Sequence, residues 1–489
     1  MFVAAFDAFV LPLYNRCITH TVSYRKLCLS VKPLYNKEGI RFVTTRFFIM
    51  MSIVMCAGFL ALGAAGKNAY AQNCDAPYQE IMELKAPRFG IPMVWYAVYG
   101  EKGMEKFSDL HFLSAKQVVA AGEYTKDEED NTYHPMLVGL DYRGRVKWET
   151  RRDSKEHTTI EGMIKVSGGF LVFGDLIDKK KGYGIYVDSY SDEGAFLKRH
   201  SFFEEGVDLD AVTIVPSHDS GHAILMAQST NIQNRDMQFG VLYKVRYTLE
   251  AKASTSISKV NWKRSYRLGG SSVFHNIVKA PNQSYVATGS IGSADGRMVG
   301  WIAKLDDNGA ISWQRSYPRG HKAAFLSAAI APGGDILAVG EALPNDGGVL
   351  AAWVMRMDGI GQPIWQKYYR GDYFFSAQDS RAHDDGRFTV LIKADPVDVT
   401  KRSYVSLLTL SPRGYLMNYE PYVQGYNAHS FRLKEGPSGE RVIVGHAQTS
   451  FPEDMSHEDI KPFTFDGWIV TATALEDYTD PCIPIVPER

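Results

Sequence analysis

Short runs of alternating or uniformly apolar residues follow one another from about residue 90 to about residue 476, separated by Gly, Asn, Asp and Pro. Such runs predict β-strands joined by tight hairpins. The runs also repeat. VGWIAKLDDNGAISWQRSY, from Val299 to Tyr317, aligns with AAWVMRMDGIGQPIWQKYY, from Ala351 to Tyr369. Each copy reads as an alternating strand, an Asp/Asn/Gly turn, then a second strand carrying Trp and a later Tyr. MLVGLDYRGRVKW, from Met136 to Trp148, is a third copy; weaker ones run from Tyr183 to Leu197, Phe239 to Trp262 and Tyr404 to Met417.

A second marker keeps the same register. β-rich runs end at Gly122, Gly174, Gly289, Gly340 and Gly445, with Ala227 and Ile392 in the two remaining slots. Successive steps are 52, 53, 62, 51, 52 and 53 residues, the long one coinciding with an insert before Trp262. A fifty-residue unit of four short strands cannot bury both faces alone and stacks on its neighbours. The prediction is an all-β seven-bladed β-propeller of four-stranded antiparallel blades. The repeated Trp and Tyr are expected between adjacent blades, where large aromatics bury most area. The last unit lacks a Trp-bearing outer strand. A spare one, IPMVWYAVYG from Ile91 to Gly100, precedes the first unit, with Trp95 placed 53 residues before Trp148. It is expected to complete the last blade, close the ring and remove an exposed edge.

The first 71 residues stand apart from this repeat. FFIMMSIVMCAGFLALGAA, from Phe47 to Ala65, follows Arg41 and Arg46 and leads to Ala69-Tyr70-Ala71. A basic start, an apolar run and a small-residue site in that order predict a secretory signal peptide cleaved after Ala71. The expected organisation is an extension and signal over 1–71 and one propeller domain over 72–489, periplasmic or secreted. The alternative is an uncleaved N-terminal membrane anchor, because the run is long enough to span a bilayer. Three of the five cysteines fall before the cleavage site, leaving Cys74 and Cys482 at the two ends of the mature chain. In an oxidising compartment, ring closure brings them together as a disulfide, the alternative being two free thiols.

GWIAKLDDNGAISWQRSY and APGGDILAVG resemble the repeats of bacterial exported β-propellers. In that largely uncharacterised group a Gly-Trp-x-x-Lys-Leu-Asp strand, an Asn-Gly turn and an Ile-x-Trp strand recur in tandem. The resemblance covers roughly residues 90 to 476 and is sharpest around Trp313 and Trp365. Its motifs are structural, so it implies a fold and no particular activity.

Composition narrows the function classes. The chain has 45% hydrophobic and 22% charged residues, and its formal net charge of -1 argues against a nucleic-acid binder, which would carry an excess of Lys and Arg. There is no Gly-x-Ser-x-Gly elbow, His-Glu-x-x-His pair or phosphate-cradling Gly-Lys-Ser/Thr loop. The vicinal cysteines or calcium-binding acids of a quinoprotein dehydrogenase are missing, and so is the full sialidase turn. No cofactor is expected, and the metal, if any, is unspecified. Asp306-Asp307-Asn308-Gly309 resembles the start of a calcium loop but lacks the later Glu, and a hairpin turn demands the same residues. One constellation carries candidate chemistry. Anchoring each inner strand on its following turn puts Asp109, Glu161, Asp210, His275, Leu326, Gln378 and His429 near equivalent positions at the axial mouth. Carboxylates with histidines there suit a cation or a polar ligand. The expected function is a monomeric, non-catalytic binding or scaffolding propeller with a protein or carbohydrate partner in the cell envelope and no membrane insertion of the mature domain. The alternative is a hydrolase or lyase acting at the same mouth.

Overall fold

A computed structural model describes residues 79–85, 95–100, 103–127, 130–141, 143–248, 256–268, 271–293, 296–345, 348–398, 401–422, 428–448 and 465–478. All of these residues belong to one compact unit, Lys67–Arg489. The expected signal segment and cleavage site, and the expected Cys74–Cys482 disulfide, lie outside the described residues. No helix occurs among those described.

Strands pair antiparallel in groups of four, except that the first strand of the second group is split in two and the last group takes its fourth strand from before the first. The first group is Glu105–Ser114, Gln117–Tyr124, His134–Asp141 and Val146–Arg151. The second runs from His157–Thr158 and Gly162–Val166 through Gly169–Asp178 and Gly182–Ser191 to Phe196–Phe202. The third is Val207–Pro216, His222–Asn231, Gln238–Thr248 and Ser256–Tyr266. The fourth is Ser272–Ala280, Ser284–Gly292, Met298–Asp306 and Ile311–Tyr317. Lys322–Ile330, Ile336–Leu343, Ala351–Met357 and Pro363–Arg370 make the fifth. Tyr373–Ala382, Phe388–Pro396, Tyr404–Leu410 and Leu416–Tyr422 make the sixth. Ala428–Glu435, Arg441–Ala447 and Asp466–Ala472 make the last, whose outer edge is taken by Trp95–Tyr99. Tandem four-stranded sheets packed face on face are the architecture of a propeller-type repeat protein.

The glycines that mark the second strands have a steric cause. A Cβ on Gly122, Gly289, Gly340 or Gly445 would stand within 2.1 Å of a carbonyl oxygen in the first strand. Opposite them the first strand carries Phe107, Phe274, Phe325 and Ser430. Where the second strand has Ala227 or Ile392, its opposite residue is only Ala211 or Ala377. At Gly122, Gly289 and Gly340 the phenylalanine opposite fills the volume that the glycine leaves, and at Ile392 the larger residue sits on the second strand instead.

The Trp, Tyr and Asp of the repeat join one unit to the next. Asp306 Oδ1 accepts the amides of Asn308 and Ala310, and Asp358 Oδ1 those of Ile360 and Gln362, which fixes the turn into the fourth strand. The turn ends on Gly309, Gly361 or Gly414, at φ +74 to +81. The bare face of that glycine receives the Trp of the preceding unit. A Cβ on Gly361 would sit 2.9 Å from Trp313, and one on Gly414 2.8 Å from Trp365. Tyr266 and Tyr317 complete the clasp by donating to the carbonyls of Gly309 and Gly361 at 2.6 and 2.7 Å. Asp306 is therefore a turn-forming residue with its acceptor oxygen occupied.

Tyr266 and Tyr317 also pack on Phe274 and Phe325 of the following unit, with centroids 5.4 and 5.7 Å apart. Tyr99 stands in the same relation to Phe107, at 5.6 Å. Val442, Val444 and Ile469 of the last unit share a core with Phe107, Leu110 and Val138 of the first. A segment before Trp95 adds a further strand: Ile81–Glu83 pairs parallel with Tyr368, Tyr369 and Arg370 on the outer edge of the fifth unit. Leu84, 4% exposed, anchors it between the fifth and sixth units.

Candidate functional site

Each first strand is broken by a β-bulge where it faces the Gly-bearing second strand. The unpaired residue is Ser108, Val212, His275, Leu326, Gln378 or Phe431 in the first and third to last units. In the second unit the interruption falls at Glu161, whose amide donates to the Phe173 carbonyl at 2.9 Å. A bulge turns one side chain away from the ladder and is a recurrent means of aiming a residue at a site. Of the residues selected in the sequence, Glu161, His275, Leu326 and Gln378 share this bulge position. Asp109 stands one residue later, and Asp210 and His429 two residues earlier. The offset comes from anchoring on the turn, because the bulge stands 13 to 15 residues before the second-strand marker in every unit.

Asp109 is committed to the seam between units. Its Oδ2 accepts the Met163 amide of the second unit at 2.9 Å, and its Oδ1 meets Lys434 of the last unit at 2.6 Å. Burial alone would raise its carboxyl, but the Lys434 and Arg432 charges and these hydrogen bonds hold it below the ordinary value. Asp379 is its counterpart in the sixth unit, accepting Ser327 Oγ and the Leu433 amide at 2.7 and 2.8 Å. Asn276 donates to Ser327 at 2.8 Å, so a belt of polar side chains links the fourth to the last first strand. Sequence spacing gave no signal for this belt, because its members differ in type.

A second layer of polar residues directly follows the second-strand marker glycine or its substitute. Glu123 accepts the Ile160 amide at 3.2 Å, Asp175 the Ala211 amide at 2.5 Å, and Gln228 the Phe274 amide at 3.1 Å. Each clasps the following unit. Burial raises the Glu123 carboxyl to about 7 and the Asp175 carboxyl to about 6. Glu161 is held well above the usual carboxylate range, first by burial and then by the charges of Asp175 and Glu123. Asp210 is raised for the same first reason, and then by Asp208.

Histidines stand at the first two strands of the last unit and at the bulge of the fourth. His429 and His446 stack at 4.9 Å, with Phe465 edge-on to both and Phe431 5.3 Å from His446. Burial lowers His275 and His429 to about 4 and His446 to about 2, so all three rings are neutral at pH 7. The Nδ1 of His446 is buried without a hydrogen-bond partner. Toward the far ends of the first strands, a cavity of about 330 Å³ is lined by Val278, Lys279, Ala328, Ala329 and Arg381 among others. Among the described residues no group of three His, Cys, Asp or Glu is disposed to hold a metal ion.

No family model and no curated protein matches the chain. Among solved structures it is similar to Sqt1 from Chaetomium thermophilum, at 12% identity and a TM-score of 0.41 over 78% of this chain and 98% of that one. A second is YCF48 bound to D1 peptide, at 11% identity and a TM-score of 0.45 over 80% and 100%. A third is puromycin hydrolase, at 13% and 0.43, where 73% of this chain covers 54% of the other. Similarity at this level assigns no function.

Proposed function

We propose that the mature chain is a seven-bladed propeller, closed by Trp95–Tyr99, that is exported and binds a polar ligand at the axial mouth without transforming it. Closure is supported by the pairing of that strand with Asp466–Ala472, by Tyr99 on Phe107 and by the Lys434–Asp109 contact. The observation that carries the binding reading is a division of labour among residues. Those that repeat from unit to unit (Trp, Tyr, the turn Asp and Gly) are consumed by packing and hydrogen bonds between units. Those at the bulges, with Glu161, His275, Gln378 and Phe431 among them, do not repeat and are aimed off the ladder. The bulge set combines a carboxyl at Glu161, a neutral imidazole at His275, an amide at Gln378 and an aromatic ring at Phe431. Such an asymmetric, chemically mixed rim suits one oriented polar ligand, of a protein or carbohydrate partner in the cell envelope, better than a symmetric one.

The hydrolase or lyase reading draws on the raised carboxyls of Glu123, Glu161 and Asp175, since a carboxyl titrating near neutrality suits a general acid. Glu123 and Asp175 already spend an oxygen each on a neighbouring amide, which favours a structural use. The test is a thermal-shift screen of soluble glycans and short peptides against residues 72–489 and against Glu161→Gln and His275→Ala variants. A ligand whose shift disappears in both variants and which is recovered unchanged supports the proposal. A shift indifferent to both, or conversion of the ligand, contradicts it. Export is tested separately by N-terminal sequencing of the mature protein, which should begin at Gln72.

A further inference from the structure

Away from the bulges, the repeat lacks a partner for one of its equivalent cations. Lys244, Lys304 and Arg356 occupy one equivalent place in the third strands of the third, fourth and fifth units, each directly across from a Trp: Trp262, Trp313 and Trp365. Lys244 is held by two carboxylates. Asp219, from the first hairpin turn of its own unit, lies at 2.7 Å, and Asp307, from the Asp-Asp-Asn-Gly turn of the next unit, at 2.5 Å. Arg356 is held in the same manner by Asp335 of its own first turn at 2.6 Å and by the carbonyl of Pro412 in the next unit's turn.

At Lys304 both partners are gone. Its own first turn reads Pro281-Asn282-Gln283, with no acid, and Gly359 stands where the neighbours have Asp307 and Pro412. Among the described residues the Lys304 ammonium has no ion pair or hydrogen bond, and a cavity of about 290 Å³ occupies the space, lined by Pro281, Asn282, Lys304, Gly333, Gly334 and Gly359. A part-buried ammonium beside an open cavity, where both equivalent cations have an anionic partner, lacks the counter-charge that its environment favours.

We infer that this cavity is a binding site for a carboxylate supplied from outside the chain, seated on Lys304 as Asp307 is seated on Lys244. The site lies between the fourth and fifth units and is independent of the bulge residues. The carboxylate is carried by a small free acid or by an acidic side chain of a peptide, and the cavity admits either. Trp313 supplies a reporter, because its Nε1–H donates to the Gly359 carbonyl at 3.2 Å on the cavity wall.

The experiment follows the Trp313 indole signal by ¹H–¹⁵N NMR in residues 72–489 during titration with propionate, N-acetyl-aspartyl-amide and, as neutral control, propionamide. Saturable shifts with propionate assign a free-acid site, and shifts with the aspartyl probe alone assign a peptide site; propionamide should give neither. Lys304→Met should weaken binding about tenfold or more, as loss of a charge-assisted hydrogen bond implies. Gly359→Asp should abolish it by restoring the internal partner, while Gly359→Asn retains it and His275→Ala leaves it unchanged. Gly359 is not in the left-handed region, so an L-residue fits its backbone. Equal response to propionamide, undiminished binding in Lys304→Met or in Gly359→Asp, or a response to neither carboxylate would overturn the inference.

Discussion

At the scale of the residue, the repeat is a set of steric and hydrogen-bonding demands rather than a motif with chemistry. Gly361 must combine a φ of +81 with a bare face against Trp313. Gly361→Ala is therefore expected to destabilise the fold by roughly 1–3 kcal/mol, measured by urea denaturation, while Gly333→Ala, which meets nothing within 4 Å, changes little. The buried Glu123 makes a pH prediction. Its folded value, about 7 against an ordinary 4.5, lies above the unfolded one. The folded state then holds the extra proton between those values, so this contribution to stability is present below about pH 4.5 and is lost as pH rises through 7. Glu123→Gln should remove that slope, a difference on the order of 3 kcal/mol between pH 4.5 and 8 relative to wild type. The lowered histidines run in the opposite sense, losing stability as pH falls below 6.5, so the readout is the difference between variant and wild type. Trp, Tyr, Gly and the turn Asp were legible in the sequence because a constant partner in the next unit demands a constant residue. Asp109, Asp210 and His429 were misregistered against His275 because they were anchored on the turn; the bulge recurs at the period of the marker, but its residue type varies from Ser108 to Phe431 and so gives no constant signal.

At the scale of the element, the four-strand grouping and the place of Trp95–Tyr99 were readable from period and spacing alone. Ile81–Glu83 was not, since three residues carry no alternation to speak of and a parallel edge pairing has no turn to announce it. The anchor of that strap is Leu84, packed with Tyr369, Phe375 and Phe388. Leu84→Ala should cost about 2–4 kcal/mol and raise the exchange of Tyr368 to Arg370 amides, as a truncated core anchor at a strand edge does. An exchange pattern indifferent to the substitution would mean that the strap contributes nothing to the fifth sheet. The belt through Asn276, Ser327 and Asp379 belongs to the same scale. Ser327→Ala leaves both neighbours short of a partner, and an expected loss of roughly 1–3 kcal/mol by urea denaturation checks it.

At the scale of the whole molecule, the proposal is that circular stacking unites the two ends of the mature chain and leaves two separate binding places: a mixed rim of bulge residues, and a carboxylate seat between two units. Closure explains why the sequence begins its repeat one strand early and ends it one strand short. The disulfide expected between Cys74 and Cys482 is tested by the mass shift of the protein on reduction. The most direct test is native-state hydrogen exchange of the unmodified mature chain, comparing the amides of Trp95–Tyr99 with those of Arg441–Ala447. If the N-terminal strand is a full member of the last sheet, both segments exchange only through the same global opening, with equal free energies and equal dependence on denaturant. Rapid exchange of residues 95–99 while Arg441–Ala447 stays protected would contradict ring closure, and with it the account of the molecule as a closed propeller.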